Sequence, residues 1–190
     1  MNEQGENIGI FRDTMQTGSN DVFVIKGIEM VIFVESVIGC LLFSIIAGGM
    51  TYLKPLSMIS DYPPEIQNRV RELGLISDEQ KRYSKSDIIR KLIAIIVFGI
   101  ILAFVVHKFN GADTFIKGFG YSYLLWNIVN WWDAIFIDCV WFCHSKRVII
   151  PGTEDMKEYK DYLFHIKGGL KGMLFGIPAC LLVGVFVFIF

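Results

Sequence analysis

The chain has 190 residues, of which 53% are hydrophobic and 19% charged, with a formal net charge of −1. A soluble domain usually carries about a quarter charged residues, and the apolar residues here fall into four long blocks rather than short alternating runs. The near-neutral balance excludes nucleic acid as a partner, because no domain-scale basic surface is left to neutralise phosphates. Four cysteines, at 40, 139, 143 and 180, show neither paired CxxC zinc spacing nor the framework of a small secreted domain. They read as free thiols, and no metal or cofactor is expected.

The first 26 residues begin MNEQGENIGIFRDTMQ, which is polar and acidic. This tail lacks the basic n-region and short apolar core of a signal peptide, so it is expected to belong to the mature protein.

A helix needs roughly 20 mostly apolar residues to cross a bilayer. The blocks meet that requirement at about 27–52, 88–109, 119–142 and 168–190. The expected fold is therefore all-α: a polytopic integral membrane protein built as a four-transmembrane-helix bundle, one domain over 27–190. Orientation follows from flanking basic residues. The connectors 54–87 and 143–167 hold most of the lysines and arginines, so both are expected in the cytoplasm, with both chain ends outside. The expected location is a cell membrane, for a bacterial source.

Within the first connector, Asp61 is a candidate N-cap for a helix carrying Ile66, Val70 and Leu73 at helical spacing, with Gly74 to end it. SDEQ at 77–80 resembles a capping box. In the second connector, Met156, Tyr159, Leu163 and Ile166 line one face of a further amphipathic stretch. Short interfacial helices on the inner membrane surface, or helices packed on the ends of the spans, would both explain these patterns.

Two stripes of small residues suggest how the spans close. The last block has Gly168, Gly172, Gly176, Cys180 and Gly184, and the first has Ser36, Cys40, Ser44 and Gly48. Small residues at every fourth position let helix backbones approach closely in lipid. The first and last spans are expected to pack on each other through this glycine zipper, homodimerisation through one stripe being the competing outcome.

The third block, WNIVNWWDAIFIDCVWFCHSKR, carries the polar chemistry. At about 100° per residue, Asn127, Asn130, Asp133, Asp138, His144 and Ser145 fall within an arc of roughly 140°. Intramembrane carboxylates cost around 3 kcal/mol or more to insert and are normally turned inward and paired. With Glu35 of the first block, these residues form a candidate ion- or ligand-binding ladder: Glu35, Asn127, Asn130, Asp133, Asp138 and His144. Plain helix–helix hydrogen bonding is the alternative role, above all for the two asparagines. A second candidate site gathers Ser145, Lys146, Arg147 and Lys171, where hydroxyl and cationic groups suit a phosphate head group. Positive-inside bias alone also accounts for Lys146 and Arg147.

No phosphate-binding glycine loop, HExxH or serine-nucleophile elbow occurs, so catalytic residues are not identified. Three functions are compatible with the residues. The first is an interior polar site handling a proton, a cation or a small polar solute. The second is an enzyme or binding protein acting on a lipid or isoprenoid phosphate head group at the inner face. The third is an accessory or scaffolding subunit. The expected partners are membrane lipids and either a second copy or another membrane protein.

Overall fold

The computed structural model describes residues 26–76 and 85–189. The acidic tail and the SDEQ stretch lie outside the described residues. Within them, every regular element is helical. The long helices are α1 (Lys26–Leu53), α3 (Lys85–Asn110), α4 (Phe115–Trp132) and α5 (Tyr162–Ile189). A short helix, α2 (Pro64–Glu72), lies in the first connector. Beyond Trp132 the chain of α4 runs on through a π-helical segment, Asp133–Trp141, and a 3-10 turn, Phe142–His144. A second π-helical segment, Ser44–Gly48, interrupts α1.

Among the described residues, α1 and α5 are each long and apolar enough to cross a membrane. The apolar part of α3, from Ile95, and the helix that starts at Phe115 meet the test jointly, bent by 105° at the turn between them. Large apolar side chains stay exposed on all of them: Phe33 is 65% exposed, Phe104 58% and Phe175 71%. A water-soluble monomer rarely exposes apolar surface that continuous, so these faces suit a hydrocarbon surround.

The two helices nearest in sequence at the C-terminal end, α4 and α5, pack antiparallel along their length. Tyr123 Oη, Trp126 Nε1 and Asn130 Nδ2 donate to the carbonyls of Met173, Gly172 and Gly169 at 3.4, 3.0 and 3.0 Å. The glycines of α5 are what allow this approach. A Cβ on Gly169 would stand 2.9 Å from that of Ala134, and one on Gly184 would stand 2.9 Å from the Phe115 carbonyl oxygen. The space beside Gly172 and Gly176 is filled by Asn130 and Trp126. In α1, Gly39 faces Val129, and Ser44 Oγ accepts a hydrogen bond from Trp132 Nε1 at 2.9 Å. Both stripes of small residues thus abut the third apolar block. Indole and amide side chains occupy the grooves that the glycines leave.

The connectors fold onto each other. Tyr62, Ile66 and Val70 from the first pack with Phe142, Cys143, Val148, Ile150 and Tyr159 in one buried cluster. Tyr62 Oη donates to the Val148 carbonyl at 2.9 Å. The apolar face of α2 is therefore buried in protein. Asp61 does not cap it, because the N-cap position falls on Pro63, with no side-chain bond. Gly74 does end it, at φ 70°: Leu75 N–H returns to Val70 O and Gly74 N–H to Arg71 O, a Schellman pattern that needs a left-handed residue. The amphipathic stretch expected over 154–167 divides in two. Lys157–Lys160 is a 3-10 turn, and from Tyr162 the chain is already α5, with Asp161 Oδ1 accepting from Phe164 N–H at 2.9 Å.

Candidate functional site

The polar residues of the third block separate along the helix. Asn130 laces α4 to α5, while Asn127 donates Nδ2–H back to the Tyr123 carbonyl of its own helix at 2.7 Å. Asp133 and Asp138 lie within the π segment. A π turn closes i to i+5 bonds, so each residue advances by less than the about 100° of an α-helix. Over the segment the lag accumulates, and an arc drawn with α-helical spacing no longer applies beyond it. His144 accordingly emerges exposed, its Nδ1 donating to the Val140 carbonyl at 2.9 Å and its Nε2 3.2 Å from the Tyr162 hydroxyl.

What the π segment brings together is Asp138 and His165. The Asp138 Oδ2 atom lies 3.0 Å from His165 Nδ1. His165 is in the first turns of α5, 2% exposed, with the rings of Phe142 and Phe164 edge-on to it at 5.2 and 5.3 Å. The carboxylate fixes the hydrogen on Nδ1 and so leaves the Nε2 lone pair as the free position of the ring. That Nε2 is buried and has no hydrogen-bond partner among the described residues. The Asp138 side chain is 30% exposed, so the pair runs from a dry imidazole to a partly wet carboxylate.

Two more acids act on this pair. Asp133 has Asp138, Asp61 and His165 as its charged neighbours. Asp61 closes the 3-10 segment Pro55–Asp61 at the rim, beside the connector cluster. Partial loss of water holds its carboxyl above the usual carboxylate range. The Ser60 hydroxyl, bonded at 3.2 Å, opposes that shift and the negative charge of Asp138 adds to it. The assembly is thus one buried base bonded to Asp138, with Asp133 and Asp61 as further acids acting on one another and on that carboxylate. Among the described residues, no group of three or more His, Cys, Asp or Glu side chains has the arrangement of a metal site, so the acids and His165 do not form a chelate.

Glu35 lies elsewhere. Its Oε2 accepts from Asn110 Nδ2 at 2.9 Å, at the far end of α3. The head-group candidates are engaged individually: Ser145 Oγ accepts from Arg147 N–H at 3.3 Å, and the Arg147 guanidinium stands 5.5 Å above the Tyr52 ring. Lys146 and Lys171 are exposed.

Sequence spacing did not single out three of the residues that matter. His165 read as one of several basic side chains near the inner boundary that could pair with the acids, Asp61 as a cap, and Asn110 lay just past the 88–109 block. The available signal was chemical: a histidine one turn into a helix, opposite an acid-bearing block, is a ready partner for a buried carboxylate.

A separate apolar groove of about 490 Å³ runs between α1 and α4, past Ile32, Ser36, Cys40 and Trp132. No protein-family model, curated protein or solved structure matches this chain.

Proposed function

We propose that the chain is a four-span membrane protein whose Asp138–His165 pair, with Asp133 and Asp61, binds and releases a proton. Through that site it handles a proton, or a cation or small polar solute whose movement is tied to one. A single observation carries the reading: His165 is 2% exposed, anchored through Nδ1 to Asp138, and its Nε2 has no hydrogen-bond partner among the described residues. A side chain so oriented by a carboxylate is set up to take a proton at one defined atom, and ionisable groups within spans are functional candidates by default.

The four-span reading is supported by length. α3 has 26 residues, which at about 1.5 Å each exceeds a hydrocarbon core of about 30 Å, and the helix after the 105° bend runs on through the π segment to His144. The basic connectors then lie in the cytoplasm and both termini outside, which puts Asp61 at the cytoplasmic rim. Lipid covers the exposed faces, and acyl chains fit the α1–α4 groove.

The test is reconstitution of the full chain in proteoliposomes carrying an internal pH dye. A pH step should produce proton flux above that of empty vesicles, lost in His165→Gln and reduced in Asp133→Asn. Flux equal to that of empty vesicles, joined with an identical proton titration for wild type and His165→Gln, would remove the proposal.

A further inference from the structure

Helix α1 is less covered than α5: 11% of its most apolar stretch is buried, against 28%. It nevertheless carries a polar contact whose hydrogen bonds do not balance. Asn110, 1% exposed at the end of α3, donates Nδ2–H to Glu35 Oε2 at 2.9 Å. The second oxygen on each side of that bond, Glu35 Oε1 and Asn110 Oδ1, is buried and has no hydrogen-bond partner among the described residues. Buried acceptors are ordinarily paired, and two acceptors cannot pair with each other. They belong to groups already joined by one bond, so one added hydrogen satisfies both. No charged side chain among the described residues acts on Glu35. On α3, His107 Nδ1 is 2.6 Å from the Ala112 carbonyl oxygen, and in the following turn Asp113 is held by Lys117 at 2.8 Å. Glu29, on α1 itself, is exposed.

We propose that Glu35 and Asn110 form a second proton-binding site, separate from His165. In it a neutral Glu35 carboxyl donates its Oε1 hydrogen to Asn110 Oδ1 while Asn110 Nδ2 donates to Oε2. The ring so closed fastens α1 to the end of α3. The ligand is a proton delivered from water, which converts the carboxylate to the acid. Its loss removes one of the two bonds and leaves a bare negative charge beside apolar neighbours, which loosens α1. The site needs nothing from Asp138 or His165, so it stands or falls independently of them.

The experiment is infrared spectroscopy on the full chain in lipid nanodiscs, with glutamate side-chain carboxyls carrying carbon-13. At neutral pH a labelled carboxylic-acid band is expected. It should vanish in Glu35→Gln, which keeps the ring geometry because a glutamine amide donates where the acid did. In Asn110→Ala the band should move to higher frequency or disappear. Amide hydrogen exchange of residues 27–43 should rise over the pH range in which the wild-type band is lost. Wild-type protein showing only carboxylate bands, or an acid band that survives Glu35→Gln or ignores Asn110→Ala, overturns the site. Exchange in α1 that does not follow the band overturns the fastening role. Should Glu35→Gln fail to fold, wild type against Asn110→Ala reads the same band.

Discussion

Trp126 and Gly172 are joined across α4 and α5. The indole N–H donates to the glycine carbonyl at 3.0 Å, and the ring takes the space that a side chain on Gly176 would need. The contact depends on both residues: without the glycines there is no exposed carbonyl within reach, and without the indole there is a void.

This packing predicts a sharp difference between glycines of the same stripe. At Gly184 an added methyl meets the Phe115 carbonyl oxygen at 2.9 Å and its ring at 3.0 Å, and backbone cannot step aside cheaply. Gly184→Ala should cost about 1–3 kcal/mol, as overpacking does. Gly168 has nothing within 4 Å, so Gly168→Ala should be neutral or stabilising by up to about 1 kcal/mol. Denaturation in mixed micelles measures both.

The connector cluster turns on Tyr159. Its hydroxyl accepts from Ile150 N–H at 3.0 Å and lies 2.7 Å from Thr153 Oγ1, which itself donates to the Ile150 carbonyl. Tyr159→Phe leaves the buried Ile150 N–H without an acceptor, which should cost about 1–3 kcal/mol. Melting temperature should fall, while Asp133 and His165 chemistry stays as it was.

The Asp138–His165 contact should appear as a coupling in a double-mutant cycle. A hydrogen bond to a charged group is worth about 1.5–3 kcal/mol, so Asp138→Asn and His165→Gln together should cost less than the sum of the two alone. Additive costs would mean that the 3.0 Å contact contributes nothing to stability.

Two carboxyl groups outside the long helices should shift stability with pH in opposite directions. The carboxyl of Asp61 sits above its ordinary range, chiefly through loss of water. The folded form therefore holds that proton more tightly than the unfolded form, and the stability is fully present below the ordinary carboxylate pKa. It is lost as pH rises through the raised value. Glu154 is held below its ordinary range, first by the Gly152 N–H donating to its Oε2 at 2.9 Å. Its contribution is present above the ordinary glutamate pKa and is lost as pH falls through the depressed value. Melting temperature against pH should flatten on the rising side in Asp61→Asn and on the acid side in Glu154→Gln.

How far the sequence was readable follows from which rule each residue obeys. Apolar block length is set by composition, so α1, α3, α4 and α5 all occur where the blocks lie. Their ends depend on single local bonds: α5 begins at Tyr162 because Asp161 supplies an acceptor there, well before the uncharged stretch starts. Partner choice was not legible, since a small-residue stripe accepts whatever shape faces it, and Trp126 and Asn130 were the shapes available. The polar arc was drawn with α-helical spacing, whereas Asp133–Trp141 is π-helical, so its angles beyond Trp132 differ from those expected. Glu35 parted from Asp133 because Asn110, at the edge of an apolar block, was the nearer donor.

The lacing of α4 to α5 also bears on the order of assembly. These helices are consecutive, joined by the connector 145–161, so their mutual surfaces emerge from the ribosome close together and can zip while the chain is still short. The first helix is synthesised earliest yet has to wait, because Trp132, the donor to Ser44, is made long afterwards. A nascent chain arrested before Phe115 would therefore hold α1 by its Glu35–Asn110 contact alone, with the Ser44 end undocked and open to whatever holdase or quality-control protease surveys the bilayer.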